Sequence, residues 1–154
     1  MKLTLTRRYS FSASHRLHSA AFSESGNQRI YGKCANPYGH GHNYVLEVTM
    51  GGPVNESTGM IVNLADLDEF VQREVIEPFD HVYINEQVAE FRDVVPTTEN
   101  LCRDIFGRLQ RFSLARLERV RIEETSKNSL EMTADPEGPR KEMANNGTKR
   151  AVPD

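Results

Sequence analysis

The chain has 154 residues, a formal net charge of −3 and only two cysteines, which fits one domain with reduced thiols and argues against a disulfide-rich secreted scaffold. Positive and negative side chains are interspersed without a basic field, so nucleic-acid binding is disfavoured as the main function. The apolar runs are far shorter than the roughly 20 residues that cross a bilayer, and no apolar leader begins the sequence, so we expect a cytoplasmic protein.

Residues 2–15 are predicted to form a strand with one buried face. Apolar side chains and His15 occupy the odd positions, Ser and Thr occupy most even positions, and Arg7 is the one exception on the apolar side. Successive side chains of a strand point to opposite faces, so this alternation is typical of a half-buried strand.

A second strand is predicted from about residue 40 to residue 50, where His40 and His42 share parity with the apolar residues that follow. Residues 19–39, between the two strands, are rich in Gly, Asn and Pro and are predicted to form a long loop. Loops of that length are usually functional or disordered.

Two amphipathic helices are predicted next. Asn63 is suited to cap the first, whose apolar residues recur at spacings of three and four until Pro78, where we expect the helix to stop. The second should begin near Thr97 and present one apolar face made of Leu101, Ile105, Leu109 and Phe112.

Two further strands, at residues 116–124 and 128–133, are predicted to pair across a short turn. The order strand, strand, helix, helix, strand, strand indicates an α+β fold. Residues 135–154 contain three prolines, two glycines and scarcely any large apolar residue. We therefore divide the chain into a folded catalytic domain, residues 1–134, and a disordered C-terminal tail, residues 135–154.

Three histidines form the strongest functional signal. His15 ends the apolar-parity side of the first predicted strand, and His40 and His42 begin that of the second, so antiparallel pairing would bring them together. Three neutral imidazoles with an open fourth position are typical of a catalytic zinc site. The alternative is a His-Gly-His turn and an unrelated interior histidine, but the coincident parity favours the metal site.

Cys34 lies in the loop before the second strand and admits three roles. The three roles are a fourth metal ligand, a nucleophile or base beside the metal, and an inert residue. Spacing alone does not distinguish these roles. At a free pKa near 8.5 only about 3% would be thiolate at pH 7, so a catalytic role requires nearby activation. Cys102 is most simply a small core residue.

Other polar residues remain ambiguous by sequence alone. Asp80 could orient the imidazole of His81, or the two could form a solvated turn, which the residues alone favour. Residues 97–99 could line a pocket or simply cap the second helix. Glu124 ends a strand, where a carboxylate is ordinarily solvated, although a buried one would suit an amidine-like N–H pair.

At these positions the sequence resembles the 6-pyruvoyl tetrahydropterin synthase family. The resemblance covers about residues 3–132 in order. Its matching segments are Phe11-Ser12-Ala13-Ser14-His15-Arg16-Leu17, Gly32-Lys33-Cys34, Asn36-Pro37, Gly39-His40-Gly41-His42-Asn43-Tyr44, Gly59-Met60, Asn63-Leu64-Ala65-Asp66-Leu67, Asp80-His81, Val94-Val95, Thr97-Thr98-Glu99-Asn100 and Glu124-Thr125.

The resemblance implies a tunnelling fold (T-fold) with ββααββ order, a four-stranded antiparallel sheet and two helices on one face. In such proteins three sheets join into a twelve-stranded barrel, two trimers stack into a homohexamer, and the active sites lie between subunits. It assigns zinc, one ion per subunit, to the three histidines. It makes Cys34 the proton-abstracting base, with Asp80 and His81 completing its relay, and Glu124 the anchor of the pterin ring. It also implies that three residues line that pocket: Thr97, Thr98 and Glu99.

The implied reaction converts 7,8-dihydroneopterin triphosphate to 6-pyruvoyl-tetrahydropterin and triphosphate in tetrahydrobiopterin biosynthesis. This is a carbon–oxygen lyase reaction acting on phosphates, without an external redox cofactor. Mg²⁺ can accompany the substrate triphosphate in this family, although the sequence shows no site for it. Lys33 and Arg16 are candidate triphosphate cations only by their closeness in sequence to the site.

Two alternatives stay open. One is 6-carboxytetrahydropterin synthase of queuosine biosynthesis, which usually has a shorter spacing between its cysteine and first histidine. Five residues separate Cys34 from His40 here, with Asn36 and Pro37 among them, and both features favour the pyruvoyl enzyme. The other is a non-catalytic zinc-stabilised binding module in which Cys34 closes the coordination sphere.

Overall fold

Two long strands form the centre of the fold. In the computed structural model, which describes residues 2–136, β1 (Thr4–His15) and β2 (His40–Gly51) pair antiparallel along their whole length. Both predicted strands are confirmed. In this register the apolar residues of both strands lie on one face of the sheet. A slip of one residue would turn every side chain of a strand to the other face.

The C-terminal hairpin is also confirmed. β4 (Arg116–Thr125) pairs antiparallel with β2, and β5 (Asn128–Thr133) pairs antiparallel with β4. The tail predicted for residues 135–154 lies, apart from Asp135 and Pro136, outside the residues that the structure describes.

The sheet has five strands, so the prediction of a four-stranded sheet missed one strand. The additional strand is β3 (Val82–Tyr83), which pairs parallel with Ala13 and Ser14 of β1 and gives the order β3-β1-β2-β4-β5. A backbone hydrogen bond holds this segment beside β1, since His81 N donates to Ser12 O at 2.6 Å. A pairing of two residues is too short to show a periodic pattern in the sequence.

The sheet is not closed. β3 covers β1 only at Ala13 and Ser14, and β5 has a neighbour on one side only within the part of the chain that the structure describes. Within residues 2–136, the outer edge of β1 before Ser12 and the outer edge of β5 have no strand partner, and they lie at opposite sides of the sheet.

The predicted loop of residues 19–39 contains a helix, which the sequence prediction missed. α1 (Glu24–Tyr31) begins at Ser23, whose hydroxyl accepts from Gly26 N at 3.1 Å, and a 3₁₀ turn (Gly32–Ala35) follows it. Only Gly26 and Asn27 of α1 are buried. A helix without an apolar stripe gives no amphipathic signal in the sequence.

The first predicted helix continues past Pro78, so the prediction that it stops there is wrong by one residue. α2 (Leu64–Val71) runs through a π-helical turn (Gln72–Ile76) into α3 (Glu77–Phe79). Pro78 has no N–H for the carbonyl of Glu74, and Arg108 Nη1 donates to that carbonyl at 3.3 Å instead. The wider π turn accommodates the proline ring without ending the helix.

The remaining helices lie between β3 and β4. After α4 (Ile84–Gln87) and a 3₁₀ turn (Ala89–Phe91) comes α5 (Thr98–Leu109). Asn63 and Thr97 act as the predicted caps of α2 and α5, since their side chains accept from Ala65 N and Asn100 N. No helix among residues 2–136 has the length and apolar character needed to cross a membrane.

The core lies between the sheet and the two main helices, α2 and α5, which pack on one face as predicted. It joins side chains such as Leu46 of β2, Leu67 of α2 and Leu101 of α5, all at most 1% exposed. Arg7, the exception on this face, donates two hydrogen bonds to Asp68 of α2, at 3.0 and 2.7 Å. The cation is therefore paired at the rim of the core.

The packing of α5 against the sheet can be tested by truncating Leu101. Leu101→Ala should lower the free energy of unfolding by about 2–5 kcal/mol, because a fully buried side chain leaves a cavity. Leu114→Ala, at a side chain that is 56% exposed, should change it by less than about 0.5 kcal/mol. Urea denaturation measures both, and equal losses would contradict the packing described.

Candidate metal centre and substrate site

Strand register brings the three histidines together. His15 is directly opposite His40 in the antiparallel pair, and Ala13 is opposite His42. All three imidazoles lie on the helix-facing side of the sheet, and one ring nitrogen from each lies within 4.8 Å of the other two. Nε2 of His15 and Nε2 of His40 are 3.2 Å apart. The three side chains could therefore share one metal ion.

One hydrogen bond fixes the imidazole of His15, and the Nε2 atom of His42 is left without a partner. His15 Nδ1 donates to the carbonyl of Pro96 at 2.8 Å, which leaves the lone pair of Nε2 free for a ligand, as in many metal-binding histidines. Nε2 of His42 is buried and has no hydrogen-bond partner in the described structure. A buried nitrogen without a partner is costly, and a metal ion would satisfy it.

Two of the imidazoles, those of His15 and His42, are in the form that binds metal. Burial lowers the pKa of His15 to about 4, against the opposing effect of its bond to Pro96, and burial also lowers the pKa of His42. Neutral imidazole is the ligand form of histidine. The residues present therefore fit a metal ion at neutral pH without a proton to displace from these two rings.

Glu124, near the end of β4, lies beside the histidines rather than in solvent. Its Oε1 is 3.7 Å from His15 Nε2 and 3.6 Å from His42 Nε2, and its Oε2 accepts from Asn128 Nδ2 at 2.9 Å. Burial raises the pKa of Glu124, but hydrogen bonds from Asn128 and Thr98 and the neighbouring imidazoles outweigh it, so the net pKa is lowered. The site thus contains an ionised carboxylate.

Asn128 is a site residue that the sequence prediction missed. The sequence predicts it only as the first residue of the last strand, yet its carboxamide accepts a hydrogen bond from Thr125 and donates one to Glu124. A sequence signal for Asn128 does exist, because it is an amide residue four positions after the carboxylate of Glu124 at the end of a strand. A tight hairpin folds such an amide back onto that carboxylate.

The three candidate residues at the start of α5 differ in their positions. Thr97 is the N-cap of the helix. Thr98 is buried and hydrogen-bonded to Glu124, so it belongs to the same cluster. Glu99 is exposed, and no hydrogen bond or ion pair joins it to the histidines among residues 2–136.

Cys34 lies in the 3₁₀ turn Gly32–Ala35 and is partly exposed. Burial, and then the negative charge of Glu124, raise the pKa of its thiol. The atoms close enough to share one ion belong to the three histidines and do not include the sulfur of Cys34. The geometry of the single chain therefore leaves Cys34 beside the cluster, as a protonated thiol.

Asp80 and His81 do contact each other. Asp80 Oδ2 accepts from His81 Nδ1 at 2.9 Å, and Asp80 Oδ1 accepts from Ser12 N at 2.8 Å. The bond from Ser12, and then that from His81, hold the pKa of Asp80 low. His81 has a φ of +59°, an uncommon conformation for a residue other than glycine, and its side chain is 82% exposed.

This pair lies at the end of β1 where β3 pairs with it. His81 lines a groove with Ser12, Ser14 and Asn43, and His42 also borders this groove. No hydrogen bond or ion pair joins Cys34 to Asp80 or His81 within residues 2–136. Among the described residues the predicted relay is therefore not joined by hydrogen bonds, and its assembly stays a prediction.

Comparison with known proteins gives consistent results. A family model described as 6-pyruvoyl tetrahydropterin synthase matches residues 4–135. The 6-pyruvoyl tetrahydrobiopterin synthase of Poecilia reticulata is 47% identical over 80% of this chain and 85% of its own, and that of Homo sapiens is 44% identical over 80% and 86%. The solved structure of Caenorhabditis elegans 6-pyruvoyl tetrahydropterin synthase superposes with a TM-score of 0.83 at 37% identity, covering 88% of this chain and 97% of that one.

Proposed function

The chain belongs to the 6-pyruvoyl tetrahydropterin synthase family, and we propose that it converts 7,8-dihydroneopterin triphosphate to 6-pyruvoyl-tetrahydropterin and inorganic triphosphate. The reaction is a lyase reaction with internal redox of the substrate side chain. The observation that carries the proposal is the cluster of three inward histidines beside an ionised, hydrogen-bonded Glu124.

We propose zinc as the metal, with one ion for each chain. Three imidazole nitrogens suit zinc, whereas Mg²⁺ prefers oxygen ligands and would accompany the oxygens of the substrate triphosphate instead. Zinc bound there would supply Lewis acidity toward the oxygens of the substrate side chain. The chain's own contribution is the fixed orientation of His15 by the carbonyl of Pro96 and the neutral state of the buried rings.

Cys34 is the proposed base that moves protons between carbons of the substrate side chain. A thiol with a raised pKa must lose its proton to a nearby acceptor to act in this way. The imidazole of His81, oriented by Asp80 and largely exposed, has the right chemistry for that acceptor. Because no hydrogen bond or ion pair joins it to Cys34 within residues 2–136, we propose that a neighbouring copy supplies it.

The two open edges of the sheet support such an assembly. Unpaired edges of β1 and β5 expose backbone groups that a second copy can pair, and closure into a barrel removes edges altogether. We propose that three chains join their sheets in this way and that two such rings form a homohexamer with active sites between subunits.

Glu124 is the proposed anchor of the pterin ring. Its ionised carboxylate can accept from two adjacent N–H groups of the ring, and Thr98 and Asn128 hold it in place. Glu124→Ala should raise the KM for dihydroneopterin triphosphate about 10- to 100-fold, which corresponds to hydrogen bonds to a charged group.

Glu123→Ala is the matched control for this prediction. Glu123 is the preceding residue of β4, and its carboxylate faces Arg121 at 3.6 Å on the other side of the strand. Steady-state kinetics of both variants should show a changed KM only for Glu124→Ala. An equal change in both would mean that the carboxylate at position 124 has no special role.

Product identification tests the function itself. Incubation of the zinc-loaded protein with dihydroneopterin triphosphate, followed by mass spectrometry, should yield 6-pyruvoyl-tetrahydropterin and triphosphate. Release of acetaldehyde with a 6-carboxy product would instead support the queuosine-pathway activity. A folded, zinc-bound protein that leaves the substrate unchanged would support a zinc-stabilised binding module.

A further inference from the structure

Two carbonyl groups of the turn that carries Cys34 are held by the residues that follow β1. Leu17 N donates to Cys34 O at 2.8 Å, and Arg16 Nε donates to Ala35 O at 3.0 Å. A 3₁₀ turn of four residues, Gly32–Ala35, is too short to satisfy its last carbonyls by itself. The position of Cys34 therefore depends on the position of Arg16 and Leu17.

Arg16 is in turn held by the carboxamide of Asn85. Arg16 N donates to Asn85 Oδ1 at 2.8 Å, and Asn85 Nδ2 donates to Arg16 O at 2.8 Å. One side chain thus satisfies both backbone groups of a residue just beyond the end of β1, as a neighbouring strand would. Asn85 lies in α4, directly after the fully buried Ile84, so its own position is fixed by the core.

The guanidinium of Arg16 is committed to this arrangement. Its Nε donates to Ala35 O, its Nη2 lies 3.7 Å from Glu24, and its side chain is only 21% exposed. These contacts favour a structural role over the role of triphosphate cation suggested by its place in the sequence.

We propose that Asn85 is a positioning residue for Cys34 and acts through the backbone and side chain of Arg16. The effect on turnover rests on the proposed function, whereas the effect on the location and accessibility of the Cys34 thiol does not. Asparagine suits the position because it offers an acceptor and a donor on one short side chain.

Asn85→Ala leaves the N–H and C=O of Arg16 without their partner, so the segment that holds the Cys34 turn is free to shift. A displacement on the order of 1 Å at a reacting group can cost about 100-fold in rate. We therefore expect kcat to fall about 10- to 100-fold while KM stays within about twofold, because Glu124 is not part of this chain of contacts. Zinc content should be unchanged.

The direct measurement is the rate at which iodoacetamide alkylates Cys34 in the zinc-loaded protein, read by peptide mass spectrometry. Cys102, which is 1% exposed, is the internal reference. Loss of the two hydrogen bonds that hold the backbone of Arg16, and through Arg16 the turn, should raise the Cys34 rate about tenfold in Asn85→Ala. Arg16→Met, which removes only the side-chain bond to Ala35 O, should give a change in the same direction.

Asn55→Ala is the matched control, because that carboxamide organises an exposed loop through Ser57 N and Thr58 N and makes no contact with the Cys34 turn. It should leave alkylation and kcat at wild-type values. Combining Asn85→Ala with Arg16→Met should change the rate by less than the product of the two single effects, since both act on the same turn.

Wild-type alkylation rates in folded Asn85→Ala and Arg16→Met would overturn the proposal. If Asn85→Ala does not fold, Asn85→Asp, which keeps the acceptor for Arg16 N and removes the donor, carries the test. A raised alkylation rate in that variant supports the proposal and a wild-type rate overturns it. If the wild-type protein shows no turnover, that result counts against the proposed function. The alkylation rates of Cys34 would still decide whether Asn85 positions it.

Discussion

Cys34→Ala should nearly abolish turnover and leave zinc bound to a folded chain. A general base contributes about 10²- to 10⁴-fold to the rate, so kcat should fall by that order. The three histidines, which are close enough to share an ion without the sulfur of Cys34, should keep their metal. Kinetics with dihydroneopterin triphosphate, zinc analysis after dialysis and circular dichroism provide the three measurements.

Cys102→Ala is the control for the loss of a thiol. Cys102 is buried in α5 among the core residues, so its replacement should lower stability slightly and leave kcat unchanged. Loss of zinc together with unfolding in Cys34→Ala would show instead that the sulfur is a structural ligand, since metal binding then supplies part of the folding free energy.

His42→Ala should lose the metal and, with it, the activity. Removal of one of three protein ligands should weaken zinc binding by more than the 10- to 100-fold that loss of an outer-shell partner typically costs. Zinc raises the midpoint of thermal unfolding of a protein that binds it in the folded state. We therefore expect this rise in the wild type and its disappearance in His42→Ala.

His18→Ala separates loss of the site from loss of any histidine. The imidazole of His18 lies outside the cluster, with its Nε2 3.3 Å from Glu24. This variant should retain the zinc content and the zinc-dependent thermal shift of the wild type. Retention of zinc by His42→Ala, or its loss from His18→Ala, would contradict the assignment of the metal ligands.

The strands and the histidine cluster were accessible from sequence because they depend on parity. Alternation along residues 4–15 and 40–51 fixes which side chains share a face, and antiparallel pairing then places His15 opposite His40. The caps at Asn63 and Thr97 were accessible for a similar reason, since they rest on local backbone chemistry. The roles assigned to individual side chains beyond this clustering came from the family resemblance.

Other features depend on contacts that leave no periodic trace. α1 buries only Gly26 and Asn27, and β3 consists of two residues that the backbone of Ser12 holds beside β1. The continuation of the first helix beyond Pro78 requires Arg108, distant in sequence, to satisfy the carbonyl of Glu74. Each of these is decided by tertiary packing, which overrides the local signal.

The separation of Cys34 from Asp80 and His81 has the same origin. In sequence, Cys34 precedes β2 and the pair follows α3, but this order does not say where either lies on the sheet. Asp80 contacts Ser12 beside the short pairing of β1 with β3, and His81 lines a groove with Ser12. Cys34 instead lies near Glu124 and Tyr44. The folded structure is needed to distinguish the surroundings of Cys34 from those of Asp80 and His81.

X-ray absorption spectroscopy of the zinc-loaded protein is the most direct test of the metal centre. The arrangement of His15, His40 and His42 predicts three nitrogen ligands at about 2.0–2.1 Å, a further oxygen ligand, and no sulfur at about 2.3 Å. A zinc–sulfur contribution would make Cys34 a fourth ligand and the site a closed one, and failure to retain zinc after dialysis would contradict the metal centre itself.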